Sequence, residues 1–175
     1  RLLDATLIRI GNEQYARANG SYGLTTLRSR HVEVSGAEIE FQFRGKGGIA
    51  HRVVLAEPKL ARVVRRLPAL PGQELFRNVD AGGGPRPIDS ADVNEYLRGI
   101  AGEDFSAKDF RTWYATRTAL RGLERCPVQS KTQARAEVKR VLGEVARKLG
   151  NTPAICRKSY VHPVVIETYL AGELQ

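Results

Sequence analysis

The sequence predicts an α+β protein that is mainly α-helical and has a small three-stranded antiparallel sheet. Two observations support this fold class. Apolar and polar residues alternate through residues 26–55, which is the period of a half-buried strand, and apolar residues recur every three or four positions through most of residues 57–175. We therefore expect a sheet subregion at about 24–56 and a helical region at about 57–175. A chain of 175 residues with 42% hydrophobic content is long enough for one well-buried domain.

The first third of the chain holds the predicted sheet. Apolar residues at helical spacing in the first fifteen positions predict a helix that ends near Gly11. The period then changes to two and predicts three strands with two turns: strands at 26–34, 39–43 and 51–55, and turns at 35–36 and 45–48.

The rest of the chain is predicted to be helical with one long loop. Proline and glycine at 68–72 end a short basic helix, and residues 78–89, rich in glycine and proline, predict a surface loop that is the most mobile segment. The clearest helix spans 130–150, because its apolar residues fall on one face. The predicted helices are 59–67, 89 or 90 to 97, 106–123, 130–150 and 163–174.

The charge of the chain points to a nucleic acid as its partner. The formal net charge is +9 and the sequence pI is about 9.9. Arginine outnumbers lysine threefold, and arginine is suited to bidentate phosphate contacts. A GC-rich genome would also enrich arginine, but it does not explain the net positive charge.

Cysteine and histidine usage argues against disulfides and metals. Two cysteines make no disulfide framework, and three scattered histidines lack metal-ligand spacing, so we expect an intracellular, reduced, metal-free protein. There is no apolar run of transmembrane length and no signal-peptide pattern. The sequence begins at Arg1 and has no methionine, so we expect a fragment of a longer protein with a domain upstream.

The candidate chemistry centres on residues 149–163, LGNTPAICRKSYVHP, where Tyr160 follows Arg157 and Lys158. A tyrosine among cations can be a nucleophile for phosphate chemistry, but most tyrosines are amphipathic residues at the edge of a core. Asn151 likewise reads first as part of a helix start, with proline at the first helical position. Taken alone, this stretch favours the structural interpretation, and only partner residues elsewhere in the chain can favour a catalytic one.

Two other groups of cations have equally ordinary alternatives. Lys46 lies at the tip of a predicted hairpin between glycines that allow close approach of a ligand, although the motif is not a Walker A loop. Lys108 and Arg111 are three residues apart on one helix face and could grip one phosphate. In each case the alternative is a solvated surface cation, and this alternative is favoured when the motif is taken alone.

The order of these residues resembles that of the type IB DNA topoisomerases, specifically their bacterial and poxvirus-like branch. The resemblance extends from Ile8 to Pro163, nearly the whole chain, and implies the catalytic fold that type IB topoisomerases share with tyrosine recombinases. It is carried by four segments: IRIGNEQYARANGSYGLTTLRSRHVEV (8–34), FQFRGKGG (41–48), KDFRTWYAT (108–116) and LGNTPAICRKSYVHP (149–163).

Tyrosine recombinases are the nearest competing family. They usually present their first arginine in a Gly-Leu-Arg run, whereas Arg9 lies in Ile-Arg-Ile-Gly and is followed by Tyr15. They also usually have histidine where this chain has Lys108. These differences favour a topoisomerase, with a recombinase or integrase catalytic domain, or a non-catalytic DNA-binding relative, as alternatives.

The resemblance implies a specific mechanism on double-stranded DNA. Tyr160 would attack a phosphodiester and form a 3′-phosphotyrosyl link, so that the freed strand swivels and is religated without ATP, metal or cofactor. Arg9 and Arg111 would supply donors to the nonbridging oxygens, and Lys46 would protonate the leaving 5′-oxygen. Asn151 occupies a position where many type IB enzymes carry histidine, and it can donate an N–H but cannot transfer a proton.

The resemblance also implies further DNA contacts and a cellular setting. Lys108 would be an auxiliary cation, and Tyr15, Arg157 and Lys158 would contact DNA. Residues 1–175 would form the catalytic domain of a cytoplasmic, nucleoid-associated monomer with no membrane partner, preceded by a β-rich domain that this chain lacks.

The spacing of Asn151 and Tyr160 sets a geometric requirement. In one regular helix, nine residues would separate them by roughly 13 Å along the axis and place them on opposite faces. Both could not then easily reach one phosphate. We therefore expect a break or bend before Tyr160, with the tyrosine in the turn ahead of Pro163.

Overall fold

A computed structural model of the chain describes residues 1–67, 74–79, 82–101 and 104–174. The chain forms two compact units, Arg1–Ala107 and Lys108–Gln175, and each is described by itself. The described residues are mainly helical with a small antiparallel sheet, which confirms the predicted fold class. No helix among them is both long enough and apolar enough to span a bilayer.

The first unit contains four helices and five strands within the described ranges. They are α1 (Leu2–Thr6), α2 (Glu13–Asn19), β1 (Val32–Ser35), β2 (Glu38–Arg44), β3 (Ala50–Ala56), α3 (Pro58–Arg65), β4 (Arg77–Val79), β5 (Pro85–Pro87) and α4 (Ser90–Ala101). Short 3₁₀ turns occur at Leu24–Thr26, Ser29–His31 and Lys46–Gly48.

The predicted three-stranded meander is confirmed, with antiparallel order β1-β2-β3. Phe41 lies opposite both Val32 and Val53, and the alternating residues Ile39, Phe41 and Phe43 are buried. The first strand begins only at Val32, not at residue 26. Two 3₁₀ turns precede it because side chains satisfy the backbone there: Thr26 Oγ1 accepts from the Gly23 N–H (2.9 Å), and His31 Nδ1 accepts from the Arg28 N–H (3.0 Å).

The predicted N-terminal helix ends earlier than expected. It stops at Thr6, where Leu7 takes a left-handed conformation (φ 56°), and the chain then runs on without helix to Asn12. The apolar pattern misled because Leu7 and Ile8 stay buried after the helix has ended. Helix α2 was not predicted, and it is capped by Asn12, whose side chain accepts from the Tyr15 N–H.

The predicted loop at 78–89 is largely a β-hairpin, in which Arg77–Val79 pairs with Pro85–Pro87. Prolines are compatible with this two-stranded ribbon because each of its strands has an edge that needs no N–H donor. Residues 80 and 81 and the predicted break at 68–72 lie outside the described residues. The predicted cap of α4 is confirmed, since the Asp89 carboxylate accepts from the Ala91 and Asp92 N–H groups, but the helix continues to Ala101.

The second unit is built from α5 (Ala107–Glu124), α6 (Lys131–Leu149), α7 (Pro153–Ser159) and α8 (Pro163–Ala171). Helix α6 matches its prediction: Ser130 caps it, and Gly150 ends it in a left-handed conformation (φ 59°). Its buried face holds Ala134, Val138, Val141, Leu142, Val145, Ala146 and Leu149. Helix α8 ends at Ala171, three residues before the predicted end.

Candidate active site

The sequence-predicted site residues fall into two sets, one in each unit. The first unit holds Arg9, Tyr15 and Lys46, and the second begins at Lys108 and holds Arg111, Asn151, Arg157, Lys158 and Tyr160.

In the first unit, Arg9, Tyr15 and Lys46 line one open cleft of about 560 Å³. Arg9 is half-buried in the segment between α1 and α2, while Tyr15 is exposed on α2 and Lys46 is exposed at the hairpin tip. The fold therefore brings together two cations and an aromatic ring that are far apart in sequence, an arrangement suited to a phosphodiester backbone.

A short strip of backbone, residues 22–24, joins the Arg9 segment to the Lys46 hairpin. The Tyr22 N–H donates to the Arg44 carbonyl (2.7 Å), two residues before Lys46, and the Leu24 N–H donates to the Arg9 carbonyl (2.8 Å). Between them, Gly23 approaches Gly11 so closely that a Cβ on Gly23 would lie 2.5 Å from the Gly11 backbone. Only glycine fits at this crossing.

Glycines shape the tip that carries Lys46. Gly47 and Gly48 adopt left-handed conformations (φ 74° and 73°), which glycine reaches without strain. A Cβ on Gly45 would lie 2.6 Å from the imidazole of His51, which stacks on Phe43 at 5.1 Å between ring centroids. The end of the β2–β3 hairpin is thus closely packed, and the exposed Lys46 lies at its tip.

A second polar cluster in the first unit surrounds His31. The guanidinium groups of Arg28 and Arg30 lie 5.8 and 5.9 Å from the Tyr22 ring centroid, and Arg30 donates to the Tyr22 hydroxyl (3.1 Å). Burial, with the charges of Arg30 and Arg28, lowers the pKa of His31 to about 4. His31 is therefore neutral at pH 7, so its Nδ1 can accept from the Arg28 N–H.

In the second unit, Arg111 is buried on α5, at 4% exposure. Its Nη2 donates to the Leu149 carbonyl at the end of α6 (2.8 Å). Its guanidinium carbon lies 5.2 Å from the centroid of the Tyr160 ring. The structure thus brings Arg111 and Tyr160 together, although they are far apart in sequence.

Tyr160 lies at the end of α7, outside any helix, with φ −132° and ψ −34°. Pro163 opens α8 three residues later, so Tyr160 occupies the turn ahead of that proline. Asn151 lies beyond the end of α6 and before α7, with its N–H donating to the Ala146 carbonyl (2.9 Å). The predicted break between Asn151 and Tyr160 is confirmed, and Thr152 is the residue whose side chain caps α7.

The other predicted contacts are surface cations. Lys108 is exposed in the first turn of α5, one turn before Arg111, and Arg157 and Lys158 are exposed on α7. Sequence reasoning did not single out Thr116, whose hydroxyl contacts the Tyr160 turn. No local motif signals such a contact, because it joins residues more than forty positions apart. Among the described residues no group of three or more His, Cys, Asp or Glu side chains is placed to hold a metal ion.

Comparison with known protein families shows which family this chain belongs to. The family described as eukaryotic DNA topoisomerase I, catalytic core, matches residues 1–172. This chain belongs to that family. Its viral relatives are type IB topoisomerases, which confirms the predicted poxvirus-like branch.

The similar topoisomerases are about twice as long as this chain. The DNA topoisomerase 1B of Acanthamoeba polyphaga mimivirus is 32% identical over 171 residues, which cover 93% of this chain and 51% of the relative. The DNA topoisomerase 1B of Vaccinia virus (strain Copenhagen) and the DNA topoisomerase I of Monkeypox virus are each 25% identical over 91% of this chain and 49% of their own length. The chain thus spans about half the length of the curated relatives it matches.

Proposed function

We propose that this chain carries out the strand cleavage and religation of a type IB DNA topoisomerase, with Tyr160 as the nucleophile. The observation that best supports this is the placement of Tyr160 in a non-helical turn with its ring beside the buried Arg111 guanidinium, in a chain that belongs to the topoisomerase family.

In the proposed reaction the Tyr160 hydroxyl gives its proton to solvent water and its oxygen attacks a DNA phosphorus atom. A 3′-phosphotyrosyl bond forms as the bond from phosphorus to the 5′-oxygen breaks, and the 5′-oxygen takes a proton from the Lys46 ammonium. Because one phosphodiester replaces another, the bond energy is kept and religation needs no ATP. Supercoil strain drives rotation of the free strand before the 5′-hydroxyl attacks in reverse.

The negative charge on the nonbridging oxygens must be met by fixed donors. We assign this role to Arg9, Arg111 and the Asn151 side-chain amide. The hydrogen bond from Arg111 Nη2 to the Leu149 carbonyl fixes the orientation of the guanidinium fork that we assign to the phosphate. Asn151→His should sustain cleavage, because histidine can also donate an N–H, and loss of activity in that variant would contradict the assignment.

The proposal extends to DNA contacts and to the setting of the protein. Lys108, Arg157, Lys158 and Tyr15 would bind the phosphate backbone, consistent with the net charge of +9. We infer that residues 1–175 act as one catalytic domain alongside an upstream β-rich domain, as a monomer associated with the nucleoid in the cytoplasm. The chain alone should therefore bind DNA weakly and with strong salt dependence, and affinity equal to that of a longer protein would contradict this.

Relaxation of supercoiled plasmid in EDTA without nucleotide is the direct test. The chain should relax the plasmid and leave an SDS-resistant covalent adduct with DNA, while Tyr160→Phe should do neither. Tyr96→Phe is the matched control, since Tyr96 is an exposed tyrosine on α4 and should retain full activity.

Two outcomes would overturn the proposal. Equal relaxation by wild type and Tyr160→Phe would remove Tyr160 from the reaction. A salt-sensitive mobility shift with no covalent adduct would instead indicate a non-catalytic DNA-binding relative.

A further inference from the structure

Thr116 connects the helix that carries Arg111 to the turn that carries Tyr160. Its Oγ1 donates to the Tyr160 carbonyl (3.1 Å) and accepts from the His162 N–H (3.1 Å). One hydroxyl therefore holds both sides of the turn, using its donor and an acceptor lone pair at once.

This is not how a helical threonine usually satisfies its hydroxyl. Such hydroxyls commonly donate to the carbonyl four residues back in the same helix. In this chain Thr6 donates to the Leu2 carbonyl (2.7 Å) and Thr168 to the Val164 carbonyl (2.6 Å) in that way. The Thr116 hydroxyl instead bonds to the turn between α7 and α8, so it stabilises tertiary structure and not its own helix.

Thr116 bonds to the part of the turn that α7 does not bond. Tyr160 has left the helical conformation, and the backbone N–H groups of Tyr160 and Val161 both donate to the single Cys156 carbonyl (3.0 and 2.9 Å). The Tyr160 carbonyl and the His162 N–H have Thr116 as their partner instead. Thr116 thus supplies two hydrogen bonds that tie this turn to α5.

We propose that Thr116 is a positioning residue that fixes the Tyr160 nucleophile relative to the Arg111 guanidinium. Arg111 and Thr116 lie five residues apart on α5, a separation of about 7.5 Å along a rigid helix. Fixing the turn to Thr116 therefore fixes Tyr160 to the same helix that presents Arg111. The inference rests on the proposed function, because its consequence is a rate of strand cleavage.

The first experiment measures the contact itself and does not need activity. Hydrogen exchange of the His162 amide, followed by NMR, should be slow in wild type and in Thr116→Ser, and fast in Thr116→Val and Thr116→Ala. Thr118→Val is the matched control, because Thr118 lies on the same helix, while the two hydrogen bonds to the Tyr160 turn are made by Thr116. Equal protection of His162 in wild type and Thr116→Val would overturn the inference.

The second experiment measures the consequence in single-turnover cleavage at saturating duplex DNA. Thr116→Val should cleave about 10- to 100-fold more slowly than wild type, because a misplacement of the order of 1 Å has effects of that size. Thr116→Ser should restore the rate, Thr118→Val should leave it unchanged, and the dissociation constant for DNA should be the same in all four proteins. Cleavage by Thr116→Val at the wild-type rate, or equal slowing of Thr116→Ser, would overturn the inference.

A modified DNA separates positioning from proton transfer. Replacing the bridging 5′-oxygen with sulfur gives a leaving group that needs no proton. Lys46→Ala should recover on this substrate, whereas Thr116→Val should stay slow, and recovery of Thr116→Val would assign it to proton transfer instead. If wild type forms no adduct on either DNA, the proposed function fails, while the exchange of the His162 amide still tests the contact.

Discussion

Substitution of Gly23 by alanine should damage both the stability of the first unit and strand cleavage. Gly23 has an ordinary extended backbone (φ −144°), so conformational strain is not the reason that glycine is needed. The reason is space: an added Cβ would lie 2.5 Å from two backbone atoms of Gly11 and 2.6 Å from the Arg9 carbonyl oxygen. All three neighbours are main-chain atoms that cannot rotate away.

The magnitude follows from how the clash can be relieved. Ordinary contacts of a Cβ are at 3.4–4 Å, so the two backbone segments must separate by close to 1 Å. That movement stretches the bond from the Leu24 N–H to the Arg9 carbonyl and the bond from the Thr25 N–H to the Ile10 carbonyl, both 2.8 Å. Overpacking costs about 1–3 kcal/mol and a lost hydrogen bond about 1 kcal/mol, which gives a destabilisation of about 2–4 kcal/mol.

Urea unfolding and single-turnover cleavage would measure the two effects. Gly99→Ala is the control, since a Cβ there meets nothing within 4 Å and the residue lies in α4, where alanine should be neutral or stabilising by up to about 1 kcal/mol. Cleavage by Gly23→Ala should fall even at urea concentrations where the variant is folded, because Arg9 is displaced. A change in unfolding free energy below about 0.5 kcal/mol with unchanged cleavage would refute the packing argument.

Three further predictions concern single positions. The folded-state pKa of His31 is about 4, against an ordinary 6.5, so the unfolded chain binds the proton first as the pH falls. The stability of the wild type should therefore be intact above about pH 6.5 and fall toward pH 4. The Tm of His31→Asn should fall less over that range, and an equal fall would count against the argument. Arg111→Lys should slow single-turnover cleavage by about 10²–10³-fold, since lysine cannot present a planar fork, and a wild-type rate would exclude the donor role. Gly47→Ala should lower the unfolding free energy by about 1–2 kcal/mol, because Gly47 has a left-handed φ of 74°. Gly47→Asn should lower it by less, and an equal loss of unfolding free energy for the two variants in chemical denaturation would count against backbone strain.

Periodicity in the sequence was informative where one face of an element is buried. Helix α6 and strand β2 were predicted well because their apolar residues repeat at the period of the element itself, and the burial seen in the structure follows that repeat. The predicted N-terminal helix was too long for a related reason. Leu7 and Ile8 are buried after α1 has ended, and a pattern of burial cannot separate a helix from the irregular chain that follows it.

Short elements stabilised by side chains escaped prediction. The 3₁₀ turns before β1 depend on Thr26 and His31 bonding to backbone groups, and the β4–β5 hairpin pairs two strands of only three residues each. Neither produces a repeat long enough to read as a period.

The sequence by itself determined the family, the residue types of the candidate site and the need for a break before Tyr160, because these depend on local motifs and on helix geometry. The tertiary structure decided what lies beside those residues. In the first unit it placed Arg9 and Lys46 in one cleft. In the second unit it placed Tyr160 beside Arg111, and it placed the Thr116 hydroxyl on the Tyr160 turn. These contacts join residues that are far apart in the chain. They depend on side-chain packing and on backbone hydrogen bonds between distant segments, and such interactions produce no regular spacing in the sequence from which they could be predicted.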